Sequence, residues 1–107
     1  MPISVSDKIN RTFFHGFIRL HILFHASQEL VYGVGLIREL ARHGYDLSPG
    51  TLYPILHDLE KQGYLEAHRQ VVNGKSRKYY QATPAGEAVL TEAMRKVREL
   101  VDEIQPM

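Results

Sequence analysis

Leu47-Ser48-Pro49-Gly50-Thr51-Leu52-Tyr53-Pro54-Ile55-Leu56-His57-Asp58-Leu59-Glu60-Lys61-Gln62-Gly63 is the stretch on which the fold turns. Ser48 is a good N-cap, Pro49 suits a first helical position, and Gly63 offers a left-handed C-terminal residue. Between these signals Leu52, Ile55, Leu56 and Leu59 recur at helical spacing, so a helix is expected to about Gln62 with that face inward. Thr51, Tyr53, Pro54, His57 and Lys61 then point away from the core, although the Tyr53 ring could instead fold back over the helix-turn-helix and only stabilise it. Pro54 removes one backbone hydrogen bond about one turn in, which should bend the helix start without breaking it.

Immediately upstream, Gly33 to about His43 reads as a second helix with Ile37, Leu40 and Ala41 inward, closed by Gly44. Two helices around a glycine-containing turn make a helix-turn-helix. Downstream, Tyr64–Val72 and Lys75–Ala82 read as strands around Asn73-Gly74, a strong hairpin turn signal. Tyr80 and Ala82 are expected on the buried face of the second strand, with Arg77, Tyr79 and Gln81 on the other. Thr83-Pro84 repeats the cap-then-proline start and opens a last helix to about Ile104.

The ends of the chain carry more apolar surface than a monomer needs. A first helix is expected from about Asp7 to Ala26, capped by Ser6, with two apolar stripes. Ile9, Phe13, Phe17, Leu20 and Phe24 form one; Phe14, Ile18, Ile22 and His25 form the other. A helix apolar on two sides sits between two bodies. In the last helix Leu90, Ala93, Val97, Leu100 and Ile104 alternate by three and four, a coiled-coil-like seam too short to stand alone. A second subunit is the natural partner for both. The expected fold is mainly α with a β-hairpin wing: one winged helix-turn-helix domain over residues 1–107. Its N-terminal helix (about 7–26) and C-terminal helix (about 84–104) are added for dimerisation.

Charge is distributed as expected of a DNA-binding module, although a solvated hairpin that is merely basic would carry the same pattern. The chain of 107 residues has a net charge of only +1, but Ala67 to Gly86 holds Arg69, Lys75, Arg77 and Lys78 with no acid. A helix fits the major groove and presents side chains to base edges, while a basic hairpin beside it reaches phosphates or the minor groove. Ser48, Thr51, Tyr53, Pro54, His57 and Lys61 are therefore the candidate reading surface, and Lys75, Arg77 and Lys78 the candidate phosphate contacts. Cysteine is absent, which fits a reducing cytoplasm, and no segment reads as a membrane span or signal peptide.

The same residues carry a family resemblance. Tyr32-Gly33, Leu36-Ile37-Arg38-Glu39-Leu40, Leu47 through Leu56, Leu59 through Leu65, Tyr79-Tyr80 and Thr83-Pro84-Ala85-Gly86 resemble the PadR family of transcriptional regulators, over about Glu29 to Leu90. The Gly-Thr-Leu-Tyr-Pro run is its most specific part. The resemblance implies a dimeric repressor on a palindromic operator, its terminal helices forming the dimer, often released by a small aromatic or hydrophobic effector. It places Thr51, Tyr53 and Pro54 in the recognition helix and Lys75, Arg77 and Lys78 in the wing. The chain resembles the short branch of that family, with one C-terminal helix. It has no tryptophan, so members that sandwich flat drugs between tryptophans are a poor guide to an effector.

Other chemistries find less support. Phe13, Phe14 and Phe17 could line an effector site between subunits, although aromatics at helical spacing ordinarily fill a core. His21 and His25, one turn apart, could share a metal, but no cysteine or nearby acid supplies a third ligand, and no metal or cofactor is expected. Gly33-Val34-Gly35 lacks the third glycine and preceding strand of a dinucleotide loop. No nucleophile elbow, His-Glu-x-x-His motif or carboxylate pair suggests an enzyme. The rival from another class is a protein-binding adaptor on the same fold, which would need neither the basic wing nor an exposed Tyr53.

Overall fold

The computed structural model describes residues 8–106 and bears out the winged helix-turn-helix. The order is α1 (Lys8–Gln28), α2 (Gly33–Arg42), α3 (Pro49–Lys61), β1 (Leu65–Val72), β2 (Lys75–Ala82) and α4 (Pro84–Ile104). The expected start of α1 at Asp7 and its cap at Ser6 lie outside the described residues. Its far end is two residues later than Ala26, because Ser27 and Gln28 present no helix breaker and the Glu29 amide still bonds the His25 carbonyl.

The helix ends follow from local chemistry. Ser48 Oγ accepts the Thr51 amide at 3.3 Å, and α3 continues through Pro54 without a break. α2 and α3 close alike: Gly44 and Gly63 take positive φ angles of 90° and 84°. The following Tyr45 and Tyr64 amides reach back to the Leu40 and Leu59 carbonyls at 3.0 and 2.9 Å, the Schellman arrangement. The two strands pair antiparallel from Leu65↔Ala82 to Val72↔Lys75. Asn73 and Gly74, with φ of 53° and 77°, make the turn whose twist suits a hairpin.

Ile22, Leu36, Leu40, Leu52, Leu56, Leu65 and Tyr80 are fully enclosed, so one core joins the second half of α1 to α2, α3 and the base of the wing. The inward residues expected of α3 and Tyr80 of β2 are buried as read. Ala41 is not: it is exposed, because α2 buries Gly33, Leu36 and Leu40 and turns residue 41 to the rim. Val31, between α1 and α2, forms a bridge to Tyr80 through two backbone bonds of 3.0 and 2.7 Å. That bridge fastens the start of α2 against the wing.

Beyond Val89 and Leu90, which pack against it, α4 stands outside this core. Thr83 holds its start, accepting the Gly86 amide at 3.1 Å and donating to the Gly63 carbonyl at 2.6 Å. Gly86 is its only buried residue, and Leu100 and Ile104 remain 56% and 68% exposed. Arg95 pairs with Glu92 and Glu99 on another part of the helix surface, so the seam is left apolar. The radius of gyration is 15.2 Å, above the roughly 13 Å of a compact domain of this length. No helix among the described residues is long and apolar enough to cross a membrane.

Candidate nucleic-acid interface

α3 spends its apolar face on the core and presents the remainder beside the wing. Thr51, Tyr53, Pro54, His57 and Lys61 are all exposed, as their spacing requires. Ser48 and Thr51 sit at the N-terminus, where the Ser48 hydroxyl donates to Thr51 Oγ1 at 3.2 Å while capping the helix. Lys61 lies at the opposite end, three turns away.

A cleft of about 410 Å3 separates α3 from the wing and the start of α2. Tyr53, His57, Arg77 and Lys78 line it, so four of the expected site residues meet in one place. Tyr32 and Arg38 join them. Neither is marked as a site residue by local spacing, although Val34 and Arg38, one turn apart, form a second exposed face of α2. α2 has no side-chain cap at Tyr32, and an uncapped helix N-terminus is a setting that suits an anion.

The cationic side chains are not equivalent. Lys75 is exposed at the wing tip. Arg77 lies 4.3 Å from the centre of the Tyr32 ring, which itself meets Tyr79 edge-on, so its guanidinium is held above the cleft. Lys78 is half-buried, 3.2 Å from a Glu60 carboxylate oxygen and 5.2 Å from the Tyr80 ring centre. Burial works against the Lys78 charge, but its hydrogen bonds to Glu60 and Tyr80 and their charges outweigh this and raise its pKa. Lys78 thus braces the wing on α3, with its charge already matched.

Tyr53 is more than an exposed probe. Its ring and hydroxyl lie over Gly33, where a Cβ would overlap them. It is 37% exposed, with part of the ring seated on α2 and part facing outward. Alternation alone could not reveal that seat, since it depends on a glycine in another helix.

The terminal helices form a second region. Phe13 stacks on Phe17 at 5.2 Å and meets Phe14 edge-on, while Phe14 and Phe17 both meet Tyr45 from the α2–α3 turn. A largely apolar cleft of about 480 Å3 opens between α1 and α4, lined by Phe17, Leu20, Phe24, Leu90 and Met94 among others. Phe17 is the one of the three phenylalanines that reaches it. His21 and His25 are joined by His43, the residue capping the C-terminus of α2, which local spacing could not supply as a third imidazole.

The chain is similar to several regulators of transcription. Residues 22–92 match the transcriptional regulator PadR-like family. The transcriptional regulator Rv3488 of Mycobacterium tuberculosis is 52% identical over 94 residues, covering 88% of each chain. Among solved structures, a PadR family transcriptional regulator from Eggerthella lenta superposes with a TM-score of 0.78 at 31% identity, over 94% of this chain and 88% of its own. A PadR-like transcriptional regulator from Bacillus cereus gives a TM-score of 0.75 at 31% identity, over 90% and 98%. These names denote regulation of transcription rather than catalysis. With Thr51, Tyr53 and Pro54 of the Gly-Thr-Leu-Tyr-Pro run exposed on α3 and a basic hairpin beside them, the chain belongs to the PadR-like family of transcriptional regulators.

Proposed function

We propose that this regulator works as a cytoplasmic homodimer that binds a palindromic operator sequence-specifically and represses transcription from it. The observation that carries the reading is the unspent half of α3: Thr51, Tyr53, Pro54 and His57 crowd its N-terminal part, exposed beside a basic wing. The N-terminal part of a recognition helix is the part that reaches base edges. Thr51 and Tyr53 make the base and sugar contacts, with Pro54 and His57 against the adjoining edges. Ser48 and the open amides of α2 receive phosphates, and Lys61, Lys75 and Arg77 add salt-dependent affinity. Lys78 contributes less directly, holding the wing in place through Glu60.

Dimerisation through α1 and α4 accounts for the apolar seam that the core leaves uncovered. A two-fold dimer of winged helices reads an inverted repeat. A small apolar or aromatic effector would enter the α1–α4 cleft, where it touches Phe17 and borders the subunit contact, with Phe13 and Phe14 as the neighbouring rings. The experiment that tests the reading is a binding selection from genomic fragments with the purified protein. It should enrich fragments sharing an inverted repeat, and enrichment should vanish with Thr51→Ala combined with Tyr53→Ala. A selection that returns no shared sequence, with the folded dimer in hand, rejects sequence-specific binding.

A further inference from the structure

α1 and the C-terminal end of α2 bring three imidazoles to one place. His21 and His25 lie one turn apart on α1, and His43 caps α2; one donor nitrogen from each lies within 4.8 Å of the others. The His21 and His43 ring centres are 4.9 Å apart, and each stands 6.3 Å from His25. Imidazole nitrogens around a tetrahedral zinc at 2.0–2.1 Å stand roughly 3.4 Å from one another, so small side-chain rotations close the triangle.

Packing of rings explains part of this cluster, since His21 also meets Phe17 and Tyr45 edge-on. It does not explain His25. The Nε2 atom of His25 is buried without a hydrogen-bond partner among the described residues, with the nearer Glu39 carboxylate oxygen 3.9 Å away. A buried ring nitrogen facing a carboxylate across a gap is an unspent donor or ligand, and structures ordinarily satisfy such atoms. The carboxylate, also paired with Arg42, places negative charge beside His25 at the edge of the cluster. Carboxylates next to ligating histidines orient the rings and favour the cation.

We infer that His21, His25 and His43 form a binding site for a divalent transition metal of the zinc type, with Glu39 as its adjoining carboxylate. Three imidazoles and a carboxylate, in a chain without cysteine, suit zinc, cobalt or nickel rather than calcium or magnesium. An ion there would pin α1, which carries much of the uncovered apolar surface, to the residue from which the α2–α3 turn departs. Metal occupancy and the placement of the helix-turn-helix would then be linked.

The test is calorimetric titration of the full, untagged chain with zinc chloride after stripping with chelator. One zinc per chain is expected. Glu39→Gln should weaken uptake by roughly 10–100-fold, the usual effect of losing an outer carboxylate, and His43→Ala by more. His43→Ala should keep the fold, because the cap it occupies is made by backbone bonds to Leu40 and Ala41, and its melting curve without zinc checks this. Zinc should raise the melting temperature of the wild type but not of His43→Ala. Zinc uptake is read without DNA, so its outcome is separate from that of the operator selection. No uptake by the wild type at micromolar zinc, or equal uptake by a folded His43→Ala, overturns the site.

Discussion

Tyr53 and Gly33 form a pair whose energetics can be worked out before measurement. With 37% of its surface exposed, Tyr53 has roughly 100–150 Å2 of a side chain of this size covered. At about 25 cal/mol per Å2 this gives an upper bound of roughly 2.5–4 kcal/mol, since the unfolded chain already covers part of the ring. Alanine retains a share, so Tyr53→Ala should destabilise by about 2 kcal/mol. Gly33→Ala alone places a Cβ into the Tyr53 ring and should cost about 1–2 kcal/mol as the ring is driven off. In the Tyr53→Ala background the same methyl, at the first residue of α2, is relieved of its three nearest contacts, all from the ring. There it should be neutral, or stabilising by up to about 1 kcal/mol as a better helix former. Urea unfolding of all four proteins, at one protein concentration because a dimer unfolds concentration-dependently, yields the coupling. If Gly33→Ala costs the same with and without the ring, Tyr53 does not rest on Gly33. The DNA role is read separately: Tyr53→Ala should also weaken operator binding by about 1–3 kcal/mol. Unchanged affinity of the folded variant would make the ring scaffold alone.

Three further outcomes follow from other parts of the molecule. Gly86→Ala drives a Cβ into the Tyr64 carbonyl, a backbone atom that cannot swing aside, and should destabilise by about 1–3 kcal/mol in urea unfolding. Changing Lys75 and Arg77 together to Gln should lower the slope of log K against log salt by up to about 2, whereas Lys78→Gln, already paired with Glu60, should change it by less than about 1. Val97→Asp with Leu100→Asp puts two charges into the α4 seam and should convert the proposed dimer to monomer in sedimentation; a dimer that persists would place the interface elsewhere.

The parts of this fold that were legible in the sequence are those written in local chemistry. Ser48-Pro49, Thr83-Pro84, Gly44, Gly63 and Asn73-Gly74 each set an element boundary by capping or by a positive φ, and the structure uses all of them. Helical spacing likewise named Leu52, Ile55, Leu56 and Leu59 as the buried face of α3. What escaped depends on contacts between elements distant in the chain. Val31 lies in a four-residue connection, and nothing local says that it bridges to Tyr80. Lys78 reads as a free wing cation until Glu60, eighteen residues earlier, is found against it. Spacing leaves Tyr53 either an outward probe or a ring folded back, and its seat on Gly33 is set by another helix; His21 and His25 lack a third imidazole until the end of α2 delivers His43. Ala41 misled because small apolar residues are tolerated on exposed helix faces as readily as on buried ones.

Footprinting of the wild-type protein on a fragment recovered by the operator selection tests the central claim most directly. Two-fold binding through paired α3 helices requires two protected half-sites in inverted repeat, their centres about 10 base pairs apart or a multiple of that. Both should fade together when Thr51 and Tyr53 are changed to Ala. A single protected half-site, or uniform protection that ignores sequence, would contradict a dimeric operator-binding regulator.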